Sequence, residues 1–162
     1  SGRSSALACV AFVLLALASS AAAVEPIVLG PGSSVVMLAP GTRYAIDSSL
    51  AATADEQFRH IDTDLFQPLP HGNATFGFVD GAYWFHVGLL NRDSQVHRWI
   101  LVLDYVLLDQ IDVRVRRADG SVTQFASGDF HPFSARIALP IAEFLIDLAD
   151  DERVDLLVRV QS

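Results

Sequence analysis

YWFHVGLLN (83–91), RWILVLDYVLLDQIDVRVRR (98–117) and GDFHPFSAR (128–136) frame a stretch of strands with polar ends. Alternation is cleanest after Gln110. There Ile111, Val113 and Val115 interleave with Asp112, Arg114 and Arg116, the period of two that gives a strand one buried and one wet face. Residues 83–91 alternate too, with Tyr83, Phe85, Val87 and Leu89 on one face and Trp84, His86, Gly88 and Leu90 on the other. Residues 99–103 are apolar throughout, as in a strand covered on both sides. The contrast predicts two packed sheets. Residues 106–109 lack alternation and read as a connection crossing between them.

Working outward, Asp119-Gly120 between two runs signals a hairpin, with 122–125 as its return strand. Phe144, Ile146 and Leu148 suggest another strand, 149–152 an acidic turn, and Val154, Leu156, Val158 and Val160 a last one. On the N-terminal side, 35–38 fits a short edge strand and 43–47 a further strand. Asp47 or Ser48 is the expected cap of one helix over 51–65, whose Ala54, Phe58, Ile61 and Leu65 pack across one end of a sandwich. Asp55, Glu56, Asp62 and Asp64 read as its solvated face. The sum is an all-β jelly-roll sandwich of about eight antiparallel strands with one short helix.

A chain of 162 residues has room for one domain with a real core. Its net charge of −8, with arginine as the only strong base, opposes nucleic-acid phosphates. Residues 1–23 read as a signal peptide: Arg3, an apolar run, then Ser19, Ser20 and the small-residue site Ala21-Ala22-Ala23, the other reading being an uncleaved membrane anchor over 6–24. Cleavage after Ala23 makes Val24 the first residue of an exported domain spanning 24–162. The single cysteine, Cys9, lies within that leader, so no internal disulfide forms. Neither paired His/Cys zinc spacing nor a Gly-x-Ser-x-Gly, phosphate-loop or HExxH motif is present, so no metal, cofactor or catalytic residue is assigned.

The segments YWFHVGLLN, RWILVLDYVLLDQIDVRV, the ADG turn, SGDFHPFSAR and the terminal LLVRVQS resemble, in order and spacing, one known family. It is the type-two extracellular domain of bacterial seven-transmembrane receptors with diverse intracellular signalling modules (7TMR-DISM). The resemblance runs from about Tyr44 to Ser162 and departs at Val106, where proline is commoner, and over 137–142, where a more polar loop is usual. It implies a non-catalytic periplasmic sensor, similar in fold to carbohydrate-binding modules. Such a domain precedes seven membrane helices and a cytoplasmic histidine kinase or diguanylate cyclase.

A sugar binder needs an aromatic platform for the C–H face of a pyranose and planar polar groups for its hydroxyls. Trp84 with Asp129, His131 and Arg136 can supply both, and Asp104, Tyr105 and Asp109 read either as a second polar group at a sheet edge or as a tyrosine bonded to backbone at a strand end. The other reading puts Trp84 in the core and pairs Asp129 with Arg136 to close the loop over 128–140. His86 reads as a ligand group or as a satisfied strand histidine. The expected ligand is a carbohydrate or small carboxylate. The rival function is a protein-interaction module, acting as a homodimer or on another receptor's ectodomain, with Leu157 on the final strand as its apolar contact.

Overall fold

The computed structural model describes residues 24–70, 80–104, 110–125 and 141–161. Among these described residues nine strands, β1 (Ile27–Leu29), β2 (Arg43–Asp47), β3 (Gln67–Pro68), β4 (Ala82–Asn91), β5 (Arg98–Asp104), β6 (Gln110–Arg117), β7 (Val122–Phe125), β8 (Ile141–Asp147) and β9 (Arg153–Gln161), accompany one α-helix, α1 (Ala54–His60). β3-β2-β4-β9-β6-β7 form one sheet, to which β1 adds along β4, and β5-β8 form a second. The fold is an all-β sandwich.

The inner face of the large sheet follows from period two. Val87 and Leu89 of β4, Ile111, Val113 and Val115 of β6, and Val154, Leu156, Val158 and Val160 of β9 pack against Leu101 of β5 and Ala142, Phe144 and Ile146 of β8. Each buried valine, leucine, isoleucine or phenylalanine among them contributes roughly 1.5–3 kcal/mol by leaving water. β5 lies in the small sheet and β6 in the large one, so the two strands flanking the segment that lacks alternation belong to different sheets, while 105–109 themselves lie outside the described residues. The β6–β7 hairpin turns at Asp119-Gly120, where Gly120 has φ +85°, a conformation that favours glycine.

Several expectations are revised. Residues 35–38 form no strand. Val36 and Leu38 pack on the core while Val35 and Met37 stay exposed, and β4 is edged there instead by β1, which pairs in parallel from Ile27↔Leu89 to Leu29↔Asn91. The strand set is therefore not wholly antiparallel. β5 is covered on one side only: Trp99, Leu101 and Leu103 face the core, whereas Ile100 and Val102 are 57% and 50% exposed. An apolar run thus marks burial on both faces only if something lies over the second one.

The helix is shorter than 51–65 and starts later. Asp47 accepts hydrogen bonds from Ser49 N, Ser49 Oγ and Ala52 N at 3.0, 2.6 and 3.0 Å, so its carboxylate organises the preceding turn. Thr53 is the cap, in a reciprocal capping box with Glu56. At the other end the Arg43 guanidinium donates to Ile61 O at 2.9 Å, to Thr63 O at 3.2 Å and to Phe66 O, taking carbonyls beyond the last helical turn. Leu65 is consequently exposed. The helix does not cross an end of the sandwich but covers the outer face of the large sheet. There Phe58 and Ile61 join Phe66, Ala45, Trp84 and Leu157 in a second apolar cluster.

Candidate functional site

The outer face of the large sheet carries the residues that alternate with the core. On β9 these include Asp155, Leu157 and Arg159; on β6, Asp112, Arg114 and Arg116; on β4, Trp84 and His86. Register places Arg116 directly opposite Asp155, and Gly88 opposite Asp155 on the other side, two residues from His86. Three side chains from three strands therefore meet. His86 Nε2 lies 3.0 Å from Asp155 Oδ1, and Arg116 Nη2 donates to Asp155 Oδ2 at 2.8 Å. Ionised Asp155 only accepts, so His86 Nε2 carries the hydrogen of that bond.

Burial works to raise the pKa of Asp155. The hydrogen bonds from His86 and Arg116, with their charges, outweigh it and hold the carboxyl below its ordinary value. His86 is 1% exposed, and its Nδ1 has no partner among the described residues. Arg116 also ties the helix to the sheet. Its Nη1 donates to Phe58 O at 3.2 Å, and its guanidinium stands 4.5 Å from the centre of the Phe58 ring.

A cleft of about 270 Å³ opens beside this triad, between the turn that follows α1 and the ends of β6 and β9. Ile61, Asp62, His86, Arg116, Arg117, Arg153 and Asp155 line it, with Val24 at its margin. Three guanidiniums face two carboxylates in a chain whose net charge is −8. Two are engaged with carboxylates: Arg116 with Asp155, and Arg117 with Glu152 Oε1 at 2.8 Å. Arg153 is exposed, donates to Val24 O at 3.1 Å, and has no carboxylate partner among the described residues. The site thus offers, at an exposed edge, a guanidinium whose N–H donors have no carboxylate among the described residues and whose shape suits the two oxygens of one.

Of the residues singled out from sequence, Trp84 is 1% exposed, in the cluster beneath the helix. Its indole N–H has no partner among the described residues, and the Arg159 guanidinium lies 5.9 Å from its ring. The ring is packed, not open as a platform. Asp104 pairs by its backbone with Ile141 at the end of the small sheet, while Tyr105, Asp129, His131 and Arg136, with the loop over 128–140, lie outside the described residues. Leu157, the expected apolar contact, does lie on the face opposite Val154, Leu156 and Val158. It is 0% exposed because β9 is a central strand beneath the helix, so it is no interaction surface.

Arg116, Arg153 and Asp155 were not singled out from sequence. Their signal is the wet half of the 111–117 and 153–161 alternations, which shows charge on a face without showing what meets it.

No helix among the described residues is long and apolar enough to cross a membrane. No curated protein matches the chain. The family model described as 7TMR-DISM extracellular 2 matches residues 39–162, which include α1 and every strand except β1. The chain therefore belongs to the 7TMR-DISM extracellular 2 family, the sensor ectodomains of seven-transmembrane receptors.

Proposed function

We propose that this domain is a non-catalytic periplasmic sensor that binds a small carboxylate, sugar acids included, in the cleft on the outer face of its large sheet. The observation that carries this reading is Arg153, a guanidinium without a carboxylate partner among the described residues, at the mouth of a cleft that Arg116 and Arg117 also line. A neutral sugar fits less well. Among the described residues the cleft lining contains no Phe, Tyr or Trp, and Trp84 is packed away beneath the helix.

Signalling requires that ligand bind two receptor states with different affinity. Arg116 supplies a route, since it holds both Asp155 and the carbonyl of Phe58. A carboxylate entering the cleft competes with Asp155 for that guanidinium and alters how tightly the helix is held. The helix then passes the change to the seven-helix membrane region and to a cytoplasmic histidine kinase or diguanylate cyclase.

Thermal-shift screening of the exported domain tests this reading, because a ligand selective for the folded state raises the melting temperature. Uronic acids and small carboxylates are expected to raise it where neutral sugars do not, and Arg153→Ala to abolish the shift while leaving the fold intact. A hit with neutral sugars that survives Arg153→Ala would overturn the carboxylate assignment.

The interaction reading now rests on a different surface. Ile100 and Leu145 stand opposite each other on the outer face of the small sheet, beside Val102, at 57%, 45% and 50% exposure. A concentration-dependent solution mass that Val102→Asp abolishes would favour a second copy docking there.

A further inference from the structure

β1 runs parallel to β4, with Ile27 paired to Leu89. Before Ile27 the chain leaves that register, because both edges of β4 at His86 are taken, by Arg43 of β2 and Leu157 of β9, and it runs over the face of Gly88 towards the cleft. Two observations agree with this path. A methyl group placed on Gly88 would stand 3.4 Å from Pro26, and Val24 borders the same cleft as His86, with its carbonyl accepting from Arg153 Nη2 at 3.1 Å. Val24 is also the residue that the sequence assigns as first after leader removal, since Ala21-Ala22-Ala23 precedes it.

We infer that leader removal completes the binding cleft, by placing the new α-ammonium of Val24 in its wall. A leader-removing peptidase adds one water across the Ala23–Val24 peptide bond, leaving a carboxylate on Ala23 and a protonated amine on Val24. Before cleavage that nitrogen is a neutral amide with a chain attached. Afterwards it is a cation with three N–H donors. The acidic and basic groups that line the cleft with Val24 are Asp62 from the turn after α1, Arg116 and Arg117 from β6, and Arg153 and Asp155 from β9, together with the imidazole of His86 from β4. The ammonium tips this balance further towards binding an anion. Asp62 and Asp155 are the carboxylates that share the cleft lining with it, and a ligand carboxylate joins them when the site is filled. The exported, processed chain is then the form competent to sense. This inference rests on the carboxylate reading of the cleft for its ligand, but not for the placement of the amine.

The chain is expressed with its leader, recovered from the periplasm and sequenced from its N-terminus, alongside a version carrying Gly-Ser inserted between Ala23 and Val24. The processed chain should begin at Val24. Its amine should react with an acylating reagent at pH 8 at least severalfold more slowly than the amine of the extended chain. D-glucuronate should bind the extended chain at least fivefold more weakly. Equal acylation rates, or a first residue other than Val24, would overturn the inference whatever the ligand. A protected amine with no glucuronate binding to either chain would retain the placement, remove its role in binding, and count against the carboxylate reading instead.

Discussion

The two faces of the large sheet are built by alternate residues of the same strands, yet they are governed by different physics. On the inner face β4, β6 and β9 present valine, leucine and isoleucine to a second sheet. On the outer face the intervening positions hold His86, Arg116, Asp155 and Arg159, roofed in part by a helix of seven residues. Burial of apolar surface needs no direction, so the inner face tolerates any side chains that fill its volume. The outer face depends on pairs of stated geometry, and removing one member leaves a charge poorly solvated. The inner face is therefore scaffold alone, the outer face joins an apolar cluster beneath the helix to the charged triad, and β9 serves both.

Substitutions at neighbouring positions of β9 sharpen that contrast. Leu156→Ala, which empties an inner-face site 1% exposed, is expected to cost about 2–5 kcal/mol in urea unfolding. It should leave carboxylate binding unchanged once corrected for the fraction folded. Asp155→Asn on the outer face is expected to cost less, about 1–3 kcal/mol, and to act mainly through loss of its hydrogen bonds with Arg116 and His86.

The Asp155 effect also carries a pH signature. Its folded-state pKa is depressed, so its contribution is present above the ordinary aspartate range and is lost as pH falls through the folded value. The stability gap between the parent and Asp155→Asn should therefore narrow below about pH 4. A gap that widened in acid would mean that the carboxylate is not stabilised by these two partners. The smallest effect is expected at Thr53→Ala, which opens the capping box at the helix start and costs about 1 kcal/mol. It should be felt as faster amide exchange in α1, with the inner sheet unaltered.

Legibility in the sequence divides along the same line. The faces of β4, the alternation of β6, the Asp119-Gly120 hairpin and the final strand are all readable, because each is a local consequence of period two or of turn chemistry. The covering of a face is not local. Residues 99–103 look buried on both sides because their sequence is apolar, and only the two-stranded partnership of β5 with β8 shows that Ile100 and Val102 are exposed. The helix bounds were missed because Asp47 is taken up by a turn and Arg43, distant in sequence, takes the carbonyls after it. The triad is the extreme case. His86 was in view as one of two possibilities, but Arg116 and Asp155 come together only through the β6–β9 register, which a single sequence does not print. Of the site residues read from the polar loop, Asp129, His131 and Arg136 fall outside the described residues.

The most direct test of the outer face as the sensing face is amide chemical-shift mapping of the isotope-labelled exported domain, titrated with the best carboxylate from the thermal screen. Shifts are expected to concentrate at His86, Arg116 to Ala118 and Arg153 to Asp155, with a weaker trail into α1 through Phe58, and Arg153→Ala is expected to erase them. Shifts centred on Ile100, Val102 and Leu145, or a binding response that leaves the cleft residues unmoved, would contradict it.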